Sequence, residues 1–130
     1  YKVILMALIH DMGEIYTGDI SANSVFSSKE KEEAERRDIQ EVFRMLPDRH
    51  RDFYISLWEE YESGVTPEAR FVKALDKAET IIQHSQGRNP DGFDYGFNLE
   101  YGKEYFEQDE RLEALRSLID AETRTRMEIK

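Results

Sequence analysis

The chain has 130 residues, enough for one domain with a single buried core, and its 39% hydrophobic and 35% charged residues give a folding rather than a disordered composition. The absence of cysteine excludes disulfides, thiolate zinc sites and a cysteine nucleophile, so any metal must be held by His, Asp or Glu. A net charge of −10 argues against a nucleic-acid polymer as partner but not against a small phosphorylated ligand, which meets the local field of a metal and nearby Lys or Arg.

Residues 2 to 16 carry apolar side chains on almost every face as far as His10, which predicts a helix buried on more than one side and ended by Thr17, Gly18 and Asp19. The run from Val3 to Ile9 is far shorter than the roughly 20 apolar residues a bilayer requires, and no cleavage site follows it. Because the chain opens inside this apolar pattern, a preceding helical segment is expected. A polar loop leads to Ser28, read as the N-cap of a helix over Lys29 to Leu46 with Ile39, Val42, Phe43 and Leu46 on its inner stripe.

Asp48 is read as the cap of a third helix, with Phe53, Leu57 and Tyr61 inward and Gly64 at its end. Thr66 and Pro67 then start a fourth, running through Phe71, Leu75, Ala78 and Ile82 toward Gly87. Residues 87 to 97 hold Gly, Asn, Pro and Asp with Phe93, Tyr95 and Phe97 and show no period, which predicts a long loop; it suits an interface, a lid or ordinary core packing alike. Helices are expected over Asn98 to Glu107 and from Glu110 to about Met127. With no paired strand and no repeat, the predicted class is all-α, a compact multi-helix bundle forming a single domain over residues 1–130.

Candidate chemistry gathers where that pattern is broken by charge. His10 and Asp11 end an apolar helix, where a buried carboxylate needs compensation. A divalent cation supplies it, since imidazole nitrogen and carboxylate oxygen suit manganese, iron, cobalt or zinc and, with more water, magnesium; local hydrogen bonds at a helix end are the alternative. Glu14 lies within one turn of both, placed to manage a proton, to support a ligand histidine, or simply to face solvent. Asp19, after Gly18, is read either as an acceptor for a substrate hydroxyl or as a turn residue. Asp76 falls four residues after Val72 in an apolar stripe and is either a distant metal ligand or the partner of Lys73 or Lys77 in a surface ion pair. His84 lies eight residues past Asp76, about 12 Å along one helix, too far to share an ion with it. His50 sits near a charged helix start and is expected in solvent.

The string Ala7-Leu8-Ile9-His10-Asp11-Met12-Gly13-Glu14, with Thr17-Gly18-Asp19-Ile20 after it, resembles the central motif of the HD-domain phosphohydrolases. Glu68-Ala69-Arg70-Phe71-Val72-Lys73-Ala74-Leu75-Asp76-Lys77 is similar to their closing aspartate helix. With Leu57-Trp58-Glu59-Glu60-Tyr61 between them, the segments most resemble the 5′-deoxynucleotidase branch and its eukaryotic relatives, over roughly residues 1 to 86. The resemblance implies an HD-domain fold. It further implies that His10, Asp11 and Asp76 hold one divalent metal ion, that Glu14 assists the attacking water and that Asp19 contacts the nucleotide sugar.

The family's first ligand, a histidine on a helix upstream of the motif, has no counterpart in this chain and is expected on the preceding segment; His50 and His84 are poor substitutes. The implied activity is hydrolysis of a nucleoside 5′-monophosphate to nucleoside and phosphate in the cytoplasm, with no membrane partner. The alternatives are another HD phosphohydrolase, acting on a phosphodiester or a nucleoside triphosphate, and a nucleotide-binding module without catalysis. Relatives of this kind commonly form dimers, so a homodimer is among the expected states.

Overall fold

Apolar residues spaced for helices and nowhere alternating as strands lead to the observed class. The computed structural model describes residues 1–18, 27–107 and 109–128, and among them all regular structure is helical, with no strand. The chain divides into two units, Tyr1–Thr66 and Pro67–Lys130. None of the described helices is long and apolar enough to cross a membrane.

In the first unit, α1 spans Lys2–Ile9 and buries Met6 and Ile9 on one face only; Ile4 and Leu8 are exposed, so the helix is not buried on several sides as its pattern suggested. The expected helix over residues 2 to 16 is shorter than its pattern suggested: at His10 the chain tightens into a 3-10 helix, His10–Glu14. Two interactions from α2 (Ser28–Phe43) account for the change, a close approach of Glu35 to Gly13 and the diversion of the Tyr16 and Thr17 amides to the Asp38 carboxylate. The N-cap of α2 is Ser27 rather than Ser28. Ser27 Oγ accepts the Glu30 amide at 3.2 Å while Glu30 Oε2 accepts the Ser27 amide at 2.8 Å, a reciprocal pair that needs an acid three residues past the cap, where Ser28 has Lys31. The helix stops at Phe43, short of Leu46, as the Arg44 and Leu46 amides bond three residues back ahead of Pro47.

Pro47, not Asp48, is the N-cap of α3 (Asp48–Ser63), and the Asp48 carboxylate faces Arg51 at 3.1 Å. The inward face of α3 is Leu57, Trp58 and Tyr61, so Phe53 lies outside it, half exposed against the Tyr54 ring. Gly64, at φ 60°, closes the helix as its sequence predicts.

The second unit opens with α4 (Pro67–Gln86). Its buried stripe is Ala74, Ala78 and Ile81, which pack with Phe106, Leu112 and Ile119; Phe71 and Ile82 lie beside this cluster, while Leu75 points outward. The helix expected over Asn98 to Glu107 is two pieces, α5 (Gly96–Glu100) and a 3-10 turn (Lys103–Tyr105), broken at Gly102. Gly102 has φ +65°, and a Cβ there would lie 2.5 Å from Lys77 Cγ, so no other residue fits without displacement.

Helix α6 (Glu110–Glu128) carries Arg116, whose buried guanidinium donates to Asp120 Oδ1 at 2.8 Å, to the Tyr101 carbonyl at 2.6 Å and to the Asn98 carbonyl at 2.7 Å. The segment 87–97 folds back onto its own unit: Phe93 meets the His84 ring edge-on, and Tyr95 Oη accepts from Asn89 and Arg126.

Candidate metal centre

Helix α1 hands the chain to the 3-10 helix at His10, and that change of winding sets the motif's geometry. With three residues per turn, Asp11 and Glu14 eclipse on one face. The His10 ring stands edge-on to Tyr61 of α3, centroids 5.2 Å apart, and its Nδ1 lies 2.7 Å from the Ala7 carbonyl. A carbonyl only accepts, so the proton sits on Nδ1 and Nε2 is the nitrogen left for other chemistry. Nε2 faces Asp11 Oδ1 at 3.1 Å, and the Asp11 side chain is 69% exposed, so the carboxylate expected to be buried at the helix end faces solvent instead. In the neutral ring both atoms bring lone pairs to that contact, an arrangement stabilised by a proton or a cation between them. A backbone carbonyl orienting the distal nitrogen is also the usual support of a ligand histidine.

Glu14 is partly buried, with Lys31 Nζ of α2 at 3.9 Å, and the same ammonium lies 3.5 Å from Glu35. The Glu14 carbonyl accepts the Gly18 amide at 2.8 Å, so the chain turns at once after the acid. A Cβ on Gly13 would stand 3.0 Å from Glu35 Cβ and 3.1 Å from its carbonyl, which is why α2 can approach the motif this closely. Asp19 lies outside the described residues.

Asp76, in α4 of the second unit, is partly buried, and its Oδ2 accepts from Lys77 Nζ at 2.8 Å. The ion pair weighed in the sequence is therefore present with Lys77. Burial works against the Lys77 ammonium, but the hydrogen bond and charge of Asp76, helped by Tyr101, outweigh it and raise its pKa. A carboxylate accepts several hydrogen bonds, so this pairing is compatible with a further role for Asp76. His84 Nδ1 lies 2.8 Å from Asn98 Oδ1; His50 is exposed, as its position suggested.

Sequence reasoning missed Glu35 and Asp38, both buried on the charge-rich helix α2. A signal was present. Ala34, Glu35, Asp38 and Ile39 share a side of one helix, so the two acids flank the apolar stripe.

A family model described as "HD domain" matches residues 1–116. A protein named 5′-deoxynucleotidase HDDC2 from Xenopus laevis is 40% identical over 82 residues, which is 63% of this chain and 41% of that protein. Its Homo sapiens namesake is 36% identical over 101 residues, covering 72% and 50% respectively. The 5′-deoxynucleotidase hdd1 of Schizosaccharomyces pombe is 35% identical over 86 residues, covering 63% and 43%. The chain thus spans half the length or less of these curated relatives. A crystal structure described as a "Predicted metal-dependent phosphohydrolase" from Magnetospirillum magnetotacticum MS-1 superposes with a TM-score of 0.74 at 30% identity, over 97% of this chain and 65% of that one.

Proposed function

The chain belongs to the HD-domain family, and on that premise we propose that it hydrolyses nucleoside 5′-monophosphates to nucleoside and phosphate, using one divalent cation held by His10, Asp11 and Asp76. The observation that carries this reading is the His10 geometry, with Nδ1 tied to the Ala7 carbonyl and Nε2 turned onto the Asp11 carboxylate. That donor set fits manganese, iron, cobalt, zinc or magnesium. A bound divalent cation supplies charge that polarises a phosphoryl oxygen and acidifies water.

The protein's own groups do the rest. The Glu14 carboxylate takes the proton of the attacking water, with Lys31 beside it to hold its side chain in place. Asp19 accepts a hydrogen bond from a sugar hydroxyl. Asp76 closes the ligand set from α4 while Lys77 fixes one of its oxygens. The relatives named as 5′-deoxynucleotidases support a nucleotide monoester as the substrate, and the bacterial neighbour supports the broader class of metal-dependent phosphohydrolase. A single domain over residues 1–130 is supported by the family match running across most of the chain. Cytoplasmic location and a homodimer remain part of the proposal.

The test is phosphate release by the purified full-length protein from ribo- and deoxynucleoside 5′-monophosphates with manganese, cobalt, magnesium or zinc. Turnover is expected with at least one metal, and Glu14→Ala should lower it by roughly 100-fold or more while metal binding persists. Release from none of the nucleotides would contradict the assignment; full activity in the Glu14 variant would make Glu14 structural and give the proton to another group.

A further inference from the structure

Helix α2 supplies the 3-10 segment with a second anchor beyond the Glu35–Gly13 contact. Continuing helix would send the Tyr16 and Thr17 amides back to carbonyls four residues earlier, but both point to α2 instead. Asp38 Oδ2 accepts Thr17 N–H at 2.7 Å and Tyr16 N–H at 3.2 Å. The Asp38 residue is 8% exposed. A buried carboxylate holding two amides makes charge-assisted bonds about twice as strong as neutral ones. The bonded residues lie between Glu14 and Gly18, so whatever holds them sets where the 3-10 helix ends and the direction in which the chain leaves the motif.

We propose that Asp38 is a positioning residue for the hydrolytic site: through the Tyr16 and Thr17 amides it fixes the end of the His10–Glu14 segment and thereby the placement of the Glu14 carboxylate. The proposal rests on the reading of Glu14 as the group that takes the proton. Asp38 does not touch the reacting atoms. Its effect is geometric, and small displacements suffice, since about 1 Å of misplacement can cost roughly 100-fold in rate.

The experiment compares full-length parent, Asp38→Ala and Asp38→Asn in manganese-supported hydrolysis of a deoxynucleoside 5′-monophosphate. Melting temperature, manganese affinity and hydrogen exchange at the Tyr16 and Thr17 amides are measured alongside. Asp38→Ala should exchange both amides faster and lose about 10- to 100-fold in kcat, with KM and manganese affinity within about threefold of the parent. Asp38→Asn keeps one acceptor oxygen but loses the charge, so its amide exchange and kcat should fall between those of the parent and Asp38→Ala.

Parent-like kcat in a folded Asp38→Ala whose amides exchange freely would overturn the proposal. So would a loss of kcat that merely follows the folded fraction. If Asp38→Ala fails to fold, Asp38→Asn decides: reduced kcat at parent-like melting supports the role, and parent-like kcat with faster amide exchange overturns it. A parent that hydrolyses no nucleotide with any metal would overturn the functional reading and this inference together, a pattern distinct from an active parent with an indifferent variant.

Discussion

Each unit buries charge, but to different ends. In the second unit Arg116 spends its donors on Asp120 and on the carbonyls of Asn98 and Tyr101, so a buried cation ties α5 and the turn after it to α6. In the first, the buried Asp38 and the close contact at Gly13 tie down a short 3-10 helix that carries His10, Asp11 and Glu14. The first arrangement is complete in itself and serves stability. The second holds a piece of backbone in place, so its effect reaches the side chains that this backbone carries.

Opening the closed Arg116 network should have the largest effect. Arg116→Ala leaves Asp120 and two carbonyls buried without their donor, and about 3 to 5 kcal/mol should be lost in denaturant unfolding. No comparable stability loss is expected from His10 or Asp11. Gly13→Ala sharpens the contrast from the other side. Its Cβ would press on Glu35 backbone and side chain, so about 1 to 3 kcal/mol of stability should go, together with a fall in kcat larger than the loss of folded protein explains.

The smallest effect belongs to Glu60, whose carboxyl is held below the usual glutamate range, first by its hydrogen bond from Lys2 and then by that from Thr66. A lowered folded pKa gives stability that is present above the unfolded value and lost as pH falls through the folded one. Glu60→Gln should therefore cost under about 1 kcal/mol at neutral pH, and its melting difference from the parent should close as the solution is acidified below the glutamate range.

Much of this was legible in the residues. Helical periods and the stop at Gly64 gave the all-α class, and the His-Asp pair stood out because it interrupted an apolar run. What the period could not reveal was winding. A 3-10 turn after Ile9 depends on α2 packing against Gly13 and diverting two amides, contacts between residues more than twenty positions apart. Glu35 and Asp38 were hidden for a related reason: in a helix rich in acids, composition does not say which ones face inward. Gly102 divided an expected helix because its backbone turns left-handed at φ +65°, and the Lys77 side chain fills the space a Cβ would need there.

The claim at the centre is that His10, Asp11 and Asp76 hold one ion, and calorimetric titration of manganese into the full-length protein tests it most directly. His10→Ala and Asp76→Ala should each weaken binding by at least about 100-fold; without metal, His10→Ala should melt close to the parent, and Asp76→Ala somewhat lower because the partly buried Lys77 ammonium loses its carboxylate. Asp76→Ala binding manganese as tightly as the parent would contradict that claim.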